Sequence, residues 1–313
     1  MRRLAGILHL PAVRRVALVK VITRLESHVR MLAESIGERN IYHSDALAEA
    51  SAYIESVWQE QGYRVTPQTY VVKGIPCSNL EVTHTGIKHP EQILLIGAHY
   101  DSVSGSPGAN DNGSGVAALL EIARLLKSVE TDRTVRFVAF VNEESPFFFG
   151  AQMGSMVYAR EARIRNDDIR LMISLEMLGY YSEYPGSQRY PPLFRFFYPD
   201  RANFIAFVSN LRSRRMLNRF SVAFRQHSSF PAEHVATFSW IPGVAWSDHL
   251  AFWRQGYRAL MVTDTAFYRY PHYHAATDLP DELDYASMAA VTEGVARAVT
   301  TLARDDRDRA ATR

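Results

Sequence analysis

Apolar residues recur along this chain with two distinct periods. Val19, Ile22, Leu25, Val29, Leu32 and Ile36 fall at helical spacing, and residues 16–63 read as helical, with Asp45 capping a second run that stops at Gly62. Residues 63–72 alternate and predict a strand, with another over 79–84. Short, mostly apolar runs follow at 93–99, 135–141, 171–176, 204–208 and 258–263. Such runs suit strands covered on both faces. Helical patterns lie between them at 113–128, 152–164 and 247–255, and Asp284 caps a last helix to about residue 302. Strand–helix alternation predicts an α/β fold, a sheet with helices on both faces. No repeat or linker divides the chain, so a single domain over residues 1–313 is expected, ending in a charged tail at 304–313.

Composition narrows the function classes. Hydrophobic residues make up 47% and charged residues 22%, an ordinary globular balance. A net charge of +2 demands no nucleic-acid partner. Lysine occurs only at positions 20, 73, 88 and 127, which we read as codon bias towards arginine. Cys77 is the only cysteine, so there is no internal disulfide and no thiolate metal site. Any metal falls to His, Asp and Glu. No run reaches the ~20 apolar residues of a membrane span. Met1 to Lys20 carries early arginines and a short apolar stretch that Arg14 and Arg15 interrupt, with no small-residue cleavage site after it. The expected location is the cytoplasm, with secretion the lesser alternative.

Residues 180–204 interleave tyrosines and phenylalanines with Pro185, Pro191, Pro192 and Pro199. They read as an irregular packed loop or as an aromatic rim over a pocket. Trp240, Trp246 and Trp253 are further candidates for an apolar pocket, or core residues. Arg212, Arg214 and Arg215 read as a solvated helix face, or as a clasp for a substrate carboxylate.

The chemistry-bearing residues stand where the apolar runs end. His99 and Asp101 close the first, at the i, i+2 spacing that faces one side of a strand. One could ligate a metal while the other accepts the proton on its second ring nitrogen. Asp111 lies in a glycine-rich turn, Gly108 to Gly115, just before a helix, and its two carboxylate oxygens could bridge two metals. Glu143 and Glu144 are adjacent at a strand end, where neighbouring side chains diverge: one towards a metal, the other free to act as a base. Glu176 ends a third run. His272 and His274 compete as the last ligand.

AHYDS at 98–102, GANDNGSG at 108–115, NEES at 142–145, MGS at 153–155, LEMLG at 175–179, WSDH at 246–249 and YHAATD at 273–278 resemble the zinc exopeptidase family of bacterial leucyl aminopeptidases. Glutamate carboxypeptidase and glutaminyl cyclase belong to the same broader family. The resemblance covers roughly residues 45–303. It implies one α/β domain around a mixed, mostly parallel sheet, two zinc ions and a peptide substrate. It further implies that His99 and Glu176 hold one zinc, Glu144 and His274 the other, and that Asp111 bridges them. Glu143 would be the general base, Asp101 the partner of His99, Tyr273 a donor to the oxyanion and Asp248 outer support. Family members usually carry aspartate where this chain has the longer Glu176. The resemblance also implies a cis peptide between Asp111 and Asn112.

The expected activity is that of a metal-dependent exopeptidase, an aminopeptidase preferring an apolar or aromatic first residue. A glutaminyl cyclase-type acyltransferase is one rival, though that branch usually has Trp where this chain has Tyr273. A non-catalytic metal- or peptide-binding domain is another, opposed by Glu143 and the full set of ligand types. The oligomeric state is left open.

Overall fold

The structure, a computed structural model, describes residues 12–304. Most of the amino-terminal apolar segment and of the charged tail lies outside them. One eight-stranded sheet organises the described residues. Its strands are β1 (Thr66–Val72), β2 (Ile75–His84), β3 (His89–His99), β4 (Arg133–Phe140), β5 (Asp168–Glu176), β6 (Ile205–Asn210), β7 (Ala232–Thr237) and β8 (Ala259–Thr263). The spatial order is β1-β2-β4-β3-β5-β8-β6-β7. β4, β3, β5 and β8 are mutually parallel; β1 and β2 form an antiparallel hairpin on one side, and the parallel pair β6/β7 runs against β8 on the other. The sheet is therefore mixed, with a parallel centre.

The mostly apolar runs become these central strands because both of their faces are covered. Leu94, Ile96 and Ala98, with Phe137, Ile173, Phe207 and Val262, face one layer. That layer holds α1 (Ala12–Arg30), α2 (Ser44–Glu60), α3 (Gly115–Leu126), α5 (Arg214–His227) and α7 (Tyr285–Ala303). Alternate residues Leu95, Phe140 and Met172 face α4 (Gly154–Ile164) and α6 (His249–Arg254). Glu121 is buried in α3, where Arg124 at 2.7 Å and Arg24 at 3.7 Å balance its charge.

Some elements differ from the sequence expectation. The helical stretch 16–63 is broken: after α1 come a π-turn at Met31–Ile36 and an irregular segment, and α2 starts at Ser44. Asp45 therefore sits in the first turn, and no side chain caps that helix. Asp284 does cap α7, accepting from the Ser287 amide. β7 was not foreseen, because an edge strand half open to solvent needs little apolar sequence.

The candidate active site

All four central parallel strands point their carboxyl ends at one place, the usual position for ligands in an open α/β sheet. His99 is the last residue of β3 and is 1% exposed. Its Nδ1 donates to the Asp101 carbonyl at 3.2 Å. That bond fixes the tautomer and leaves the Nε2 lone pair directed inward. Nε2 lies 3.5 Å from Asp111 Oδ1 and 3.5 Å from Glu176 Oε2, with no hydrogen-bond partner.

Asp111 presents its other oxygen, Oδ2, to His274 Nε2 at 3.1 Å. Glu144 Oε1 is 3.4 Å from the same nitrogen. Two groups of donor atoms result, His99/Asp111/Glu176 and Asp111/Glu144/His274, with the atoms of each inside 4.8 Å and Asp111 common to both. His272 turns away, its ring bonded to Thr277 at 2.8 Å and close to Glu282. Glu143 belongs to neither group; its Oε2 is 3.9 Å from His99 Nε2.

The donor set fits a cation. Four carboxylates crowd two imidazoles in a nearly dry space, and Glu144 Oε1 and His99 Nε2 are buried without partners. The titration pattern carries the same strain. Burial would depress both imidazoles, yet the carboxylates override it, holding His99 well above its ordinary value and His274 up to about 10. Burial and the neighbouring Asp111 push Glu144 up to about 7; burial, Glu144 and Glu176 push Glu143 well above its ordinary value. Burial also raises Asp248, to about 7, behind the cluster. Nitrogen and oxygen donors without sulfur suit zinc among transition metals.

The loops that carry these ligands are held by buried polar groups. The Asp101 carboxylate accepts the amides of Glu143 and Glu144, both at 3.1 Å, so it anchors the acid pair. Its distance to His99 Nδ1 is 3.6 Å, longer than the carbonyl contact. Asp278 accepts the amides of Asn110 at 2.8 Å and Asp111 at 3.1 Å and the Tyr270 hydroxyl at 2.7 Å, tying the turn of Asp111 to the loop of His274. The buried Arg39 guanidinium donates to the carbonyls of Leu32, Gly37, Tyr100, Pro107 and Gly108. Ser247 donates to Glu176 Oε2 at 2.7 Å and bonds Ser174 at 2.8 Å, holding the longer side chain back. No local sequence pattern distinguishes Arg39, and Ser247, though part of the WSDH motif, shows its duty only where the fold brings it to Glu176.

The Asp111–Asn112 peptide is cis, as expected. Asn142, Met177 and His274, each beside or within the ligand set, have φ of 57°, 49° and 57°. Left-handed backbone at non-glycine residues persists where surroundings enforce it, often at functional sites. Gly115 opens α3 so near β5 that a Cβ would run into the Asn112 side chain and the Leu175 carbonyl.

Tyr273 stacks on His274, ring centres 3.8 Å apart, at the edge of a cavity that reaches Glu176. With its open mouth the cavity holds about 850 Å³. Tyr190, Phe194, Tyr198 and Phe204 of the aromatic segment line it. Of the tryptophans only Trp246 does; Trp253 packs on His249 and bonds the Ala259 carbonyl, and Trp240 is 76% exposed. The arginine clasp is not formed at the site. β6 runs against β8, so the 211–215 turn that follows it emerges at the opposite edge of the sheet.

Comparison with known proteins agrees with this geometry. The model of peptidase family M28 matches residues 79–299. Uncharacterized protein YfbL of Escherichia coli (strain K12) is 40% identical over 281 residues, 87% of this chain and 85% of that protein. Aminopeptidase YwaD of Bacillus subtilis is 62% identical over 58 residues, but these are 18% of this chain and 12% of that protein. The structure of BSAP, a zinc aminopeptidase from Bacillus subtilis, superposes with a TM-score of 0.71 at 17% identity, covering 91% of this chain and 96% of that one, a likeness of fold. With the family model running from within β2 to α7 and including every residue of the ligand cluster, the chain belongs to peptidase family M28.

Proposed function

We propose that this chain is a zinc-dependent aminopeptidase with two zinc ions. One observation carries the reading: the Asp111 carboxylate is shared, one oxygen towards each imidazole, between two three-residue donor groups. His99, Asp111 and Glu176 would hold one ion, and Asp111, Glu144 and His274 the other. Zinc bound there supplies a nucleophilic water acidified towards neutral pH and a Lewis acid for the scissile carbonyl.

Glu143 is the acid without a ligand's duty, buried beside both donor groups, which suits a general base. Its carboxylate takes the proton of the attacking water and passes it to the leaving amine. Asp101 fixes the direction of both Glu143 and Glu144 by gripping their amides. The Tyr273 hydroxyl, without a hydrogen-bond partner among the described residues, would donate to the oxygen that gains charge. The free amine of a peptide is a cation that calls for a nearby carboxylate, which Glu143 or Glu176 could supply, and among the described residues no comparable cation stands at the site for a substrate carboxylate.

The test pairs metal analysis with a panel of aminoacyl chromogenic substrates, with and without chelator. Chelator-sensitive cleavage of free-amino substrates, and none of their acetylated forms, is expected. Equal cleavage of an acetylated peptide would exclude an aminopeptidase. Cyclisation of N-terminal glutamine without peptide hydrolysis would move the chain to the acyltransferase reading.

A further inference from the structure

The cavity beside Glu176 has apolar walls but an acidic far end. Strand pairing fixes where that end lies. Glu176 of β5 pairs with Thr263 of β8, Thr263 with Ala206 of β6, and Ala206 with Glu233 of β7. Paired residues project from the same sheet face. A single row thus runs from a proposed metal ligand, over a floor of two small side chains, to a second carboxylate at the sheet edge. The next row inward is Ser174, Met261, Val208 and Val235, which is apolar beyond its first member. Three strand spacings put the two glutamates roughly 14 Å apart at their Cα atoms.

Glu233 has no hydrogen bond or ion pair among the described residues, although it is only partly exposed. Burial pushes its carboxyl up, and the one charge offsetting this is Arg225. Arg225 reaches in from α5, on the opposite face of the sheet, where Phe220 and Phe224 pack on Phe207. Arg189 also lines the cavity but is exposed and does not act on Glu233. Around the carboxylate stand aromatic rings. Tyr190 and Tyr198 stack at 5.9 Å, Phe194 and Tyr198 at 6.0 Å; burial raises both phenols and Glu233 adds to it, opposed at Tyr190 by the buried Arg269. The Tyr198 hydroxyl donates to the His234 carbonyl, pinning this wall to the edge strand. A carboxylate set among aromatic faces is a site for an organic cation.

We infer that this cavity is a specificity pocket for a first residue with a long apolar stem and a cationic tip, lysine or arginine, with Glu233 and the Tyr190/Phe194/Tyr198 wall receiving the charge. The inference rests on the aminopeptidase reading, because it places the amino group beside Glu176. Among standard residues only lysine and arginine carry a charge that far from the backbone, on stems able to lie along apolar walls. A purely apolar pocket would leave Glu233 facing the substrate unpaired. The proposed pocket keeps the apolar walls expected from the sequence and adds a site for a cation at their end.

The experiment compares kcat/KM for arginyl, lysyl, norleucyl, leucyl and phenylalanyl substrates in wild type and Glu233→Gln. Norleucine shares the lysine stem without its charge. Wild type should favour arginyl and lysyl over norleucyl substrates by about tenfold or more, and Glu233→Gln should remove most of that ratio. A preference for norleucyl or phenylalanyl substrates, or an unchanged ratio in the variant, would overturn the inference. Calorimetric binding of argininamide against norleucinamide to both proteins decides the pocket independently of turnover. If no substrate is cleaved but argininamide still binds in a Glu233-dependent way, the aminopeptidase reading fails and the cation site stands; equal binding of the two amides sinks the site.

Discussion

Replacing Asp278 by alanine should loosen the turn that carries Asp111. Asp278 is fully buried and accepts three hydrogen bonds, from the Asn110 and Asp111 amides and the Tyr270 hydroxyl. Alanine leaves all three donors in a space too dry to offer water. An orphaned buried donor costs about 1–3 kcal/mol, so the two amides alone put the loss near 4 kcal/mol. Burial pushes the Asp278 carboxyl up, so removing that charge offsets a part of the loss. A loss of about 4 kcal/mol corresponds to roughly 6 °C in Tm for a chain of 313 residues. Asp278→Asn keeps one acceptor oxygen and should lose about half as much. Denaturant unfolding of chelated protein measures the fold alone, and zinc titration of the folded variants reads the site. Zinc affinity should fall about 10–100-fold, the usual penalty for disturbing a group that orients a ligand. Asp278→Ala within 1 kcal/mol of wild type and with unchanged zinc affinity would refute the clamp.

Glu143→Gln should abolish hydrolysis while zinc content stays near that of wild type, whereas Glu144→Gln should lose zinc; the reverse pattern would show the two roles exchanged. Ser247→Ala should weaken zinc at the His99/Asp111/Glu176 group and spare the other, since among the ligand atoms it frees only Glu176 Oε2; two unchanged binding steps in calorimetry would exclude that role. His28, partly buried with its Nδ1 2.6 Å from the Tyr53 hydroxyl, has a pKa lowered from 6.5 to about 4, first by burial and then by Arg24 and Arg124. A depressed histidine contributes stability above pH 6.5 that is lost as pH falls towards 4, here about 2 kcal/mol after allowance for partial exposure. His28→Phe should flatten that part of the stability–pH curve, and an unaltered curve would show that His28 titrates normally.

The central strands were legible in the sequence because they are buried on both faces, which forces the mostly apolar runs that end near His99, Phe140 and Glu176. His99, Glu143, Glu144 and Glu176 were legible for a related reason: each stands at or within a few residues of such an end, and metal chemistry admits few side chains; Asp111 and His274 lie on loops farther on and were legible by their motifs. β7 and the bounds of α5 were not, since an edge strand and a surface helix are defined by what packs beside them. Tertiary structure turned the His272 ring away from the ligand cluster, sent the Arg212–Arg215 turn to the far edge and packed Trp253 against the core. It alone aligned Glu176, Thr263, Ala206 and Glu233 in one row. Local sequence fixes periodicity and chemistry at a position; pairing register and strand direction decide which distant positions share a face, and those depend on contacts made only when the whole sheet closes.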